Sequence, residues 1–174
     1  MVFCGKDISD LPVFERISNG IGYTFQITSI FINLTVYENV ALAIRKDNSN
    51  GEEDSVSEVL SKVGLLDRIE QRSGDLSYGH QRLLELAMGM AQKPKLLILD
   101  EPTQGLSDSE IENFKKLIKD ISSSTTILLI EHNMDVVMSI ADNISVLHFG
   151  EIIAEGDKKT IQDDPIVQKA YLGD

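Results

Sequence analysis

Two adjacent carboxylates, Asp100 and Glu101, stand at the end of an unbroken apolar run, Leu96 to Leu99. Such a run, closed by turn-forming residues, fits a strand buried on both faces of a parallel sheet. Ligands in open α/β sheets bind outside the carboxyl ends of the strands. There, one acid can hold Mg²⁺ and its neighbour can orient a water. The alternative is a solvated strand end without chemistry, and the stretch alone leaves both open. Pro102 and Gly105 turn the chain, and Ser107 with Glu110 has the spacing of a capping box. Other residues could join this chemistry. Ser77 and Gly79 open an apolar helix, His80 sits in its first turn, and His132 follows a second apolar run, Thr125 to Ile130. Gln26 ends a short β-rich segment that starts at Gly20. Each has a plain alternative: an N-cap for Ser77, a solvent-facing histidine for His80 and His132, an ordinary glutamine for Gln26.

The elements that must position these residues can be taken in chain order. Met1 to Cys4 reads as a strand end, Gly5-Lys6-Asp7 as a turn, and Val13 to Ser18 as a short helix. Thr35-Val-Tyr-Glu38 is a capping box for a helix from Val36 to Arg45. Asp47 to Asp54 is polar and reads as a loop, and Ser55 to Val63 as a helix with Val56, Val59, Leu60 and Val63 on one face. The helix after Asp75 runs through Met90, with a core stripe of Leu83, Leu84, Ala87, Met88 and Ala91. Ser107 to Ile121 is a helix and Thr125 to Ile130 a second buried strand. Met134 to Ala141 is a helix; Ile144 to His148 and Glu151 to Ala154 form a hairpin about Gly150; two small helices flank Pro165. Strands alternating with helices imply a parallel sheet. The block 27–88 is helical throughout and reads as an insertion, leaving 1–26 and 89–174 as one α/β core.

Composition narrows the function. The 174 residues suffice for one domain, and the 42% hydrophobic content for a sizeable core. A net charge of −12 opposes a grip on nucleic acid or anionic lipid and otherwise serves solubility. No apolar run is long enough to span a bilayer, and Met1 to Lys6 becomes polar too soon for a signal peptide. The single cysteine, Cys4, permits no internal disulfide.

Leu76-Ser-Tyr-Gly-His-Gln81, the strand into Asp100-Glu101, Gln104-Gly-Leu-Ser107 and Glu131-His132 resemble the signature, Walker B, D-loop and switch-histidine motifs of ABC transporter ATPase subunits. Gln26 is similar to that family's Q-loop glutamine. The motifs are collinear, and the resemblance runs the length of the chain. It implies an α/β fold: a P-loop NTPase-type ABC ATPase core with a parallel sheet, incomplete at the N-terminus, and an inserted α-helical signature subdomain. Leu-Ser-Tyr-Gly, the segment Phe31 to Asn39 and the tail Asp164 to Gly173 are similar to the subgroup serving importers of branched-chain amino acids and related amides.

In that family two subunits sandwich two ATP molecules. The resemblance implies that Ser77, Gly79 and His80 face the partner's ATP, where a helix N-terminus favours the γ-phosphate. Asp100, with Gln26, would hold Mg²⁺; Glu101 would be the general base; His132 would steady the transition state. Ser107 would cross the dimer interface. The implied partners are a second ABC ATPase, transmembrane permease subunits and a solute-binding protein, with no nucleic acid. The implied location is the cytoplasm, peripheral on the inner face of the cell membrane. The apolar segment Ile27 to Leu34 would dock the permease. Two alternatives remain: a non-catalytic partner that lends its signature helix to a complete ATPase, and a soluble ABC ATPase outside transport. The sequence departs from the family pattern at Tyr78, His80 and Ser107, where the family favours Gly, Gln and Asp. No G-x-x-x-x-G-K-[ST] occurs in the 174 residues. The expectation is therefore a chain that alone neither binds nor hydrolyses ATP well, with an open sheet edge that makes it fold poorly.

Overall fold

The computed structural model describes residues 1–24, 29–44 and 52–172. They form two compact units, Met1–Ile130 and Glu131–Asp174. The first opens with a small antiparallel pair, β1 (Val2–Phe3) and β2 (Lys6–Asp7). Lys6 and Asp7 are thus strand, not turn. The reversal falls on Cys4 and Gly5, both at positive φ (48° and 78°), so glycine's freedom of φ sets where the chain folds back. Helix α1 (Val13–Ser18) leads to strand β3 (Ile21–Thr24).

Three helices then build the apolar heart of this unit: α2 (Val36–Ala43), α3 (Glu52–Lys62) and α4 (Tyr78–Ala91). The Thr35 box is present: Glu38 N–H donates to Thr35 Oγ1 (3.1 Å) and Thr35 N–H to Glu38 Oε2 (2.7 Å). The helix ends at Ala43, because Ile44 is already extended (ψ 133°); Arg45 lies outside the described residues. Helix α3 starts earlier than its apolar spacing indicates. Glu52, Glu53 and Asp54 form its first turn, where the positive end of the helix dipole favours acids that composition alone assigns to a loop. Val36, Val40, Val56, Leu60, Leu65, Leu76, Leu84 and Ala87 form one buried cluster. Burying each such side chain contributes roughly 1.5–3 kcal/mol.

Strand β4 (Leu96–Asp100) lies between β3 and β5 (Thr126–Ile130), all parallel. Tyr23, Ile98 and Leu128 stand in register on one face; Gly22, Leu97 and Ile127 on the other. Helix α4 crosses the second face at Gly89, whose missing Cβ leaves room for Leu97 Cδ1 at 3.2 Å. Helix α5 (Asp108–Ser122) buries Phe114, Ile118 and Ile121. Leu97 and Leu99 are buried as the apolar run predicts, but Leu96 and Ile98 on the opposite face are only half-buried. Strand β5 is not buried on both faces. Leu128 is 50% and Ile130 46% exposed, because within the described part of this unit the helices cover one face only. Its far edge has no strand partner among the described residues.

The second unit is α6 (Met134–Ile140), the hairpin β6 (Ile144–His148) and β7 (Glu151–Gly156), α7 (Lys158–Asp163) and α8 (Pro165–Leu172). Ile144, Ile161 and Val167 form its core. Strand β7 continues two residues past Ala154, because its register runs on until Gly156 pairs with Ile144.

Candidate functional site

The carboxyl ends of β4 and β5 present the acid pair. Asp100 closes β4, and its Oδ2 accepts a hydrogen bond from the Tyr23 hydroxyl at 3.0 Å. That bond, with some burial and the negative charge of Asp100, pushes the Tyr23 phenol above its usual range. Glu101 N–H donates to Ile130 O (2.9 Å), so the first turn after β4 is tied to the end of β5. Glu101 sits at φ 45°, a conformation that is costly for a residue with a Cβ and recurs at functional sites. Pro102 and Thr103 are buried, and Gly105 takes φ 78° against the Tyr78 ring.

The signature turn is the N-terminus of α4. Ser77 is its N-cap: the His80 N–H donates to Ser77 Oγ at 3.3 Å, and His80 Nδ1 lies 3.0 Å from the same oxygen. His80 is therefore half-buried and tied to the cap rather than pointing freely to solvent. Gly79 is explained by its surroundings. A Cβ there would stand 2.0 Å from Glu110 Oε1, so the first turn of α5 presses on the first turn of α4. Glu110 in turn accepts from Ser107 N–H (2.8 Å) and Ser107 Oγ (2.7 Å) at Oε2. These two bonds, with His80 nearby, hold the Glu110 carboxyl below its usual range. The structure thus brings Ser77, Gly79, His80 and Ser107 together through Glu110 and Tyr78.

Gln26 and Ile27 lie outside the described residues, as does part of the expected docking segment. Of the rest, Phe31 and Ile32 are exposed, while Ile30 packs on the helical cluster. Glu131 and His132 begin the second unit. His132 is exposed, and Asn133 caps α6 by accepting from Asp135 and Val136 N–H. Among the described residues no three His, Cys, Asp or Glu side chains form a metal cluster. A cleft of about 500 Å³ lies at the opposite end of the strands, lined by Lys62, Met90, Leu97, Leu117 and Ser124, and contains none of the site residues.

Sequence reasoning missed three groups here: Tyr23, and the buried pair Arg82 and Glu85. The signal for the pair was present as two charges, three residues apart, in a helix otherwise read for its apolar stripe. Tyr23 carried no such signal; its role follows from parallel register, which sets it beside Ile98 with its ring reaching toward Asp100.

A three-stranded parallel sheet ending in an acid pair, joined to a helical layer whose last helix opens with Ser-Tyr-Gly, defines an ABC-type ATP-binding domain. The chain belongs to the ABC transporter family, whose model matches residues 1–104. It is 36% identical over 189 residues to the high-affinity branched-chain amino acid transport ATP-binding protein BraF of Pseudomonas aeruginosa, covering 98% of this chain and 74% of BraF. It is 34% identical to LivG of Escherichia coli, a protein of the same description, over 97% of the chain and 74% of LivG. It is also 34% identical to the lipopolysaccharide export ATP-binding protein LptB of Haemophilus influenzae, over 100% and 74%. Among solved structures, the ADP form of MJ1267, an ATP-binding cassette of an ABC transporter, superimposes with a TM-score of 0.85 at 28% identity, covering 99% of this chain and 76% of MJ1267. These relatives are ATP-binding proteins of transport or export systems, and no described helix here is long and apolar enough to cross a membrane.

Proposed function

We propose that the protein is the ATP-hydrolysing subunit of an importer for branched-chain or related amino acids. It would work as one of a pair of ATPase subunits beneath a membrane permease, on the cytoplasmic face, with a solute-binding protein delivering the cargo. The observation that carries this reading is the ordered set of motifs on matching elements, together with BraF and LivG among the relatives. The match to LptB supports the ATPase but not the cargo. The Leu-Ser-Tyr-Gly turn and the Asp164–Gly173 tail support amino acids.

In this reading Asp100, aided by Gln26, holds Mg²⁺. Hard oxygen donors at a strand end suit that ion, which takes its other ligands from phosphate and water. Glu101 draws the proton from the attacking water, and His132 contacts the γ-phosphate. Ser77, Gly79 and His80 offer a helix N-terminus to the partner's nucleotide, and Ser107 meets the partner subunit. Residues 1–26 and 89–174 would form the ATPase core, with 27–88 the helical subdomain; the single apolar cluster of α2, α3 and α4 supports that division.

The test is transport and ATP hydrolysis by the subunit assembled with its permease in vesicles loaded to measure leucine uptake. In a version of the subunit that carries a glycine-rich phosphate-binding loop, Glu101→Gln is expected to slow hydrolysis about a hundredfold or more while nucleotide stays bound. Hydrolysis at the original rate would remove Glu101 as the base. A rate insensitive to Glu101→Gln but abolished by Ser77→Arg would indicate a partner that contributes only its signature turn.

A further inference from the structure

We propose that Arg82 and Glu85 are positioning residues that hold the signature turn, the segment after Gln26 and the acid-pair turn in one fixed arrangement. The pair is a salt bridge of 3.0 Å, with side chains only 6% and 8% exposed. Three connections among the described residues leave it. Glu85 Oε1 accepts from Ser29 N–H at 3.3 Å, three residues beyond Gln26. Arg82 Nε donates to the Tyr78 hydroxyl at 3.2 Å, and its guanidinium lies 5.4 Å from the Tyr78 ring centre. That ring fills the space beside Gly105, where a Cβ would meet Tyr78 Cε1 at 2.8 Å. The pair also borders a hollow of about 10 Å³ with Thr24, which ends β3, and with Leu99 and Pro102, which flank Asp100 and Glu101. One ion pair therefore reaches the elements on either side of Gln26, the residue between Ser77 and Gly79, and the turn after Glu101.

Stability does not explain such a pair. Burying two charges costs several kcal/mol of desolvation, and apolar residues of the same volume often serve stability as well or better. What apolar residues cannot reproduce is direction. The fork of Arg82 and the two oxygens of Glu85 fix distances to a tyrosine hydroxyl and to a backbone amide. Arg82 and Glu85 touch no nucleotide in this account; they act through Tyr78 and Ser29. The proposal rests on the ATPase reading above for its meaning, but its test uses no nucleotide, so the two can fail separately.

The experiment is hydrogen exchange resolved to single amides on the 174-residue chain, beside thermal unfolding. The double variant Arg82→Met with Glu85→Leu keeps the volume apolar, and its melting midpoint is expected to stay level or rise. Exchange at Ser29, and at Gln104 and Leu106 in the acid-pair turn, is expected to become about tenfold faster, the factor carried by one lost hydrogen bond. Leu97 and Leu99 in β4 should be unchanged. A folded double variant with original exchange at Ser29 and Leu106 overturns the proposal. Tyr78→Phe, at a site already 44% exposed, keeps the ring and removes only the hydroxyl. It is expected to speed exchange at Ser29 as well as at Leu106, because Arg82 loses its tether. Acceleration confined to Leu106 would mean that the ion pair transmits nothing and would also overturn it.

Discussion

Asn39 is fully buried and holds the segment before α2 in place. Its Oδ1 accepts from Phe31 N–H (2.8 Å), and its Nδ2 donates to Phe31 O (3.1 Å), Thr35 O (2.9 Å) and Ser73 Oγ (2.8 Å). Replacing Asn39 by alanine removes all four bonds, but not all four partners are orphaned. Phe31 O still accepts from Leu34 N–H, and Thr35 O from the residue 39 N–H. Phe31 N–H and the buried Ser73 hydroxyl lose the bonds that Asn39 gave them. Each buried group left unsatisfied costs about 1–3 kcal/mol, while alanine recovers up to about 0.7 kcal/mol of helix propensity. For the two groups together, the net expectation is a loss of about 1–6 kcal/mol, a large part of a typical domain's 5–15 kcal/mol. With a urea dependence of about 2 kcal/mol per molar, the midpoint should fall by about 0.7–3 M. The chain has no tryptophan, so far-UV circular dichroism is the appropriate signal. Asn39→Leu distinguishes the cause. It fills the volume yet strands the same polar groups, so it should cost as much as alanine. A midpoint within 0.3 M of the original for Asn39→Ala, or a leucine variant restored to full stability, would refute the polar argument.

Three further outcomes are expected. Glu110 titrates below its ordinary value of 4.5 in the folded chain, so its contribution is complete above that pH and disappears as pH falls through the lowered value. Glu110→Gln should therefore flatten the acid limb of a pH–stability curve below about 4.5, by less than about 1 kcal/mol for a group that solvent still reaches; an unchanged limb would exclude Glu110 as its source. Phe31→Asp, at a side chain 54% exposed, should alter stability by no more than about 0.5 kcal/mol yet abolish capture of the permease, and undiminished capture would disprove the docking role. Calorimetry of the 174-residue chain with Mg-ATP should give no micromolar binding, since no glycine-rich loop in this sequence gathers backbone N–H groups around the β- and γ-phosphates; a micromolar isotherm would contradict that account.

Much of this was legible before any coordinates. Capping boxes at Thr35 and Ser107 depend on local spacing alone, and so do the apolar faces of α3 and α5; each is visible in a window of a few residues. The order of site motifs was equally readable. The contacts that join them were not, because they come from tertiary approach. Nothing local indicates that Glu110 would fill the space a side chain at position 79 would need, or that Tyr23 would reach Asp100, 77 positions away. The half-exposure of β5 was missed for a related reason. An apolar run states what a strand can tolerate on each face, and the layers around it decide what each face meets.

The backbone at Glu101 also has an evolutionary consequence. At φ 45° a glycine or asparagine would rest more comfortably than glutamate, by about 1 kcal/mol. A population of variants selected only for remaining folded would then drift at position 101 toward those residues, while selection for nucleotide turnover would pull it back to the acid. Sequencing such a library after each regime would separate what this position owes to architecture from what it owes to chemistry. An enrichment of glutamate under selection for folding alone would show that the left-handed turn carries no burden here.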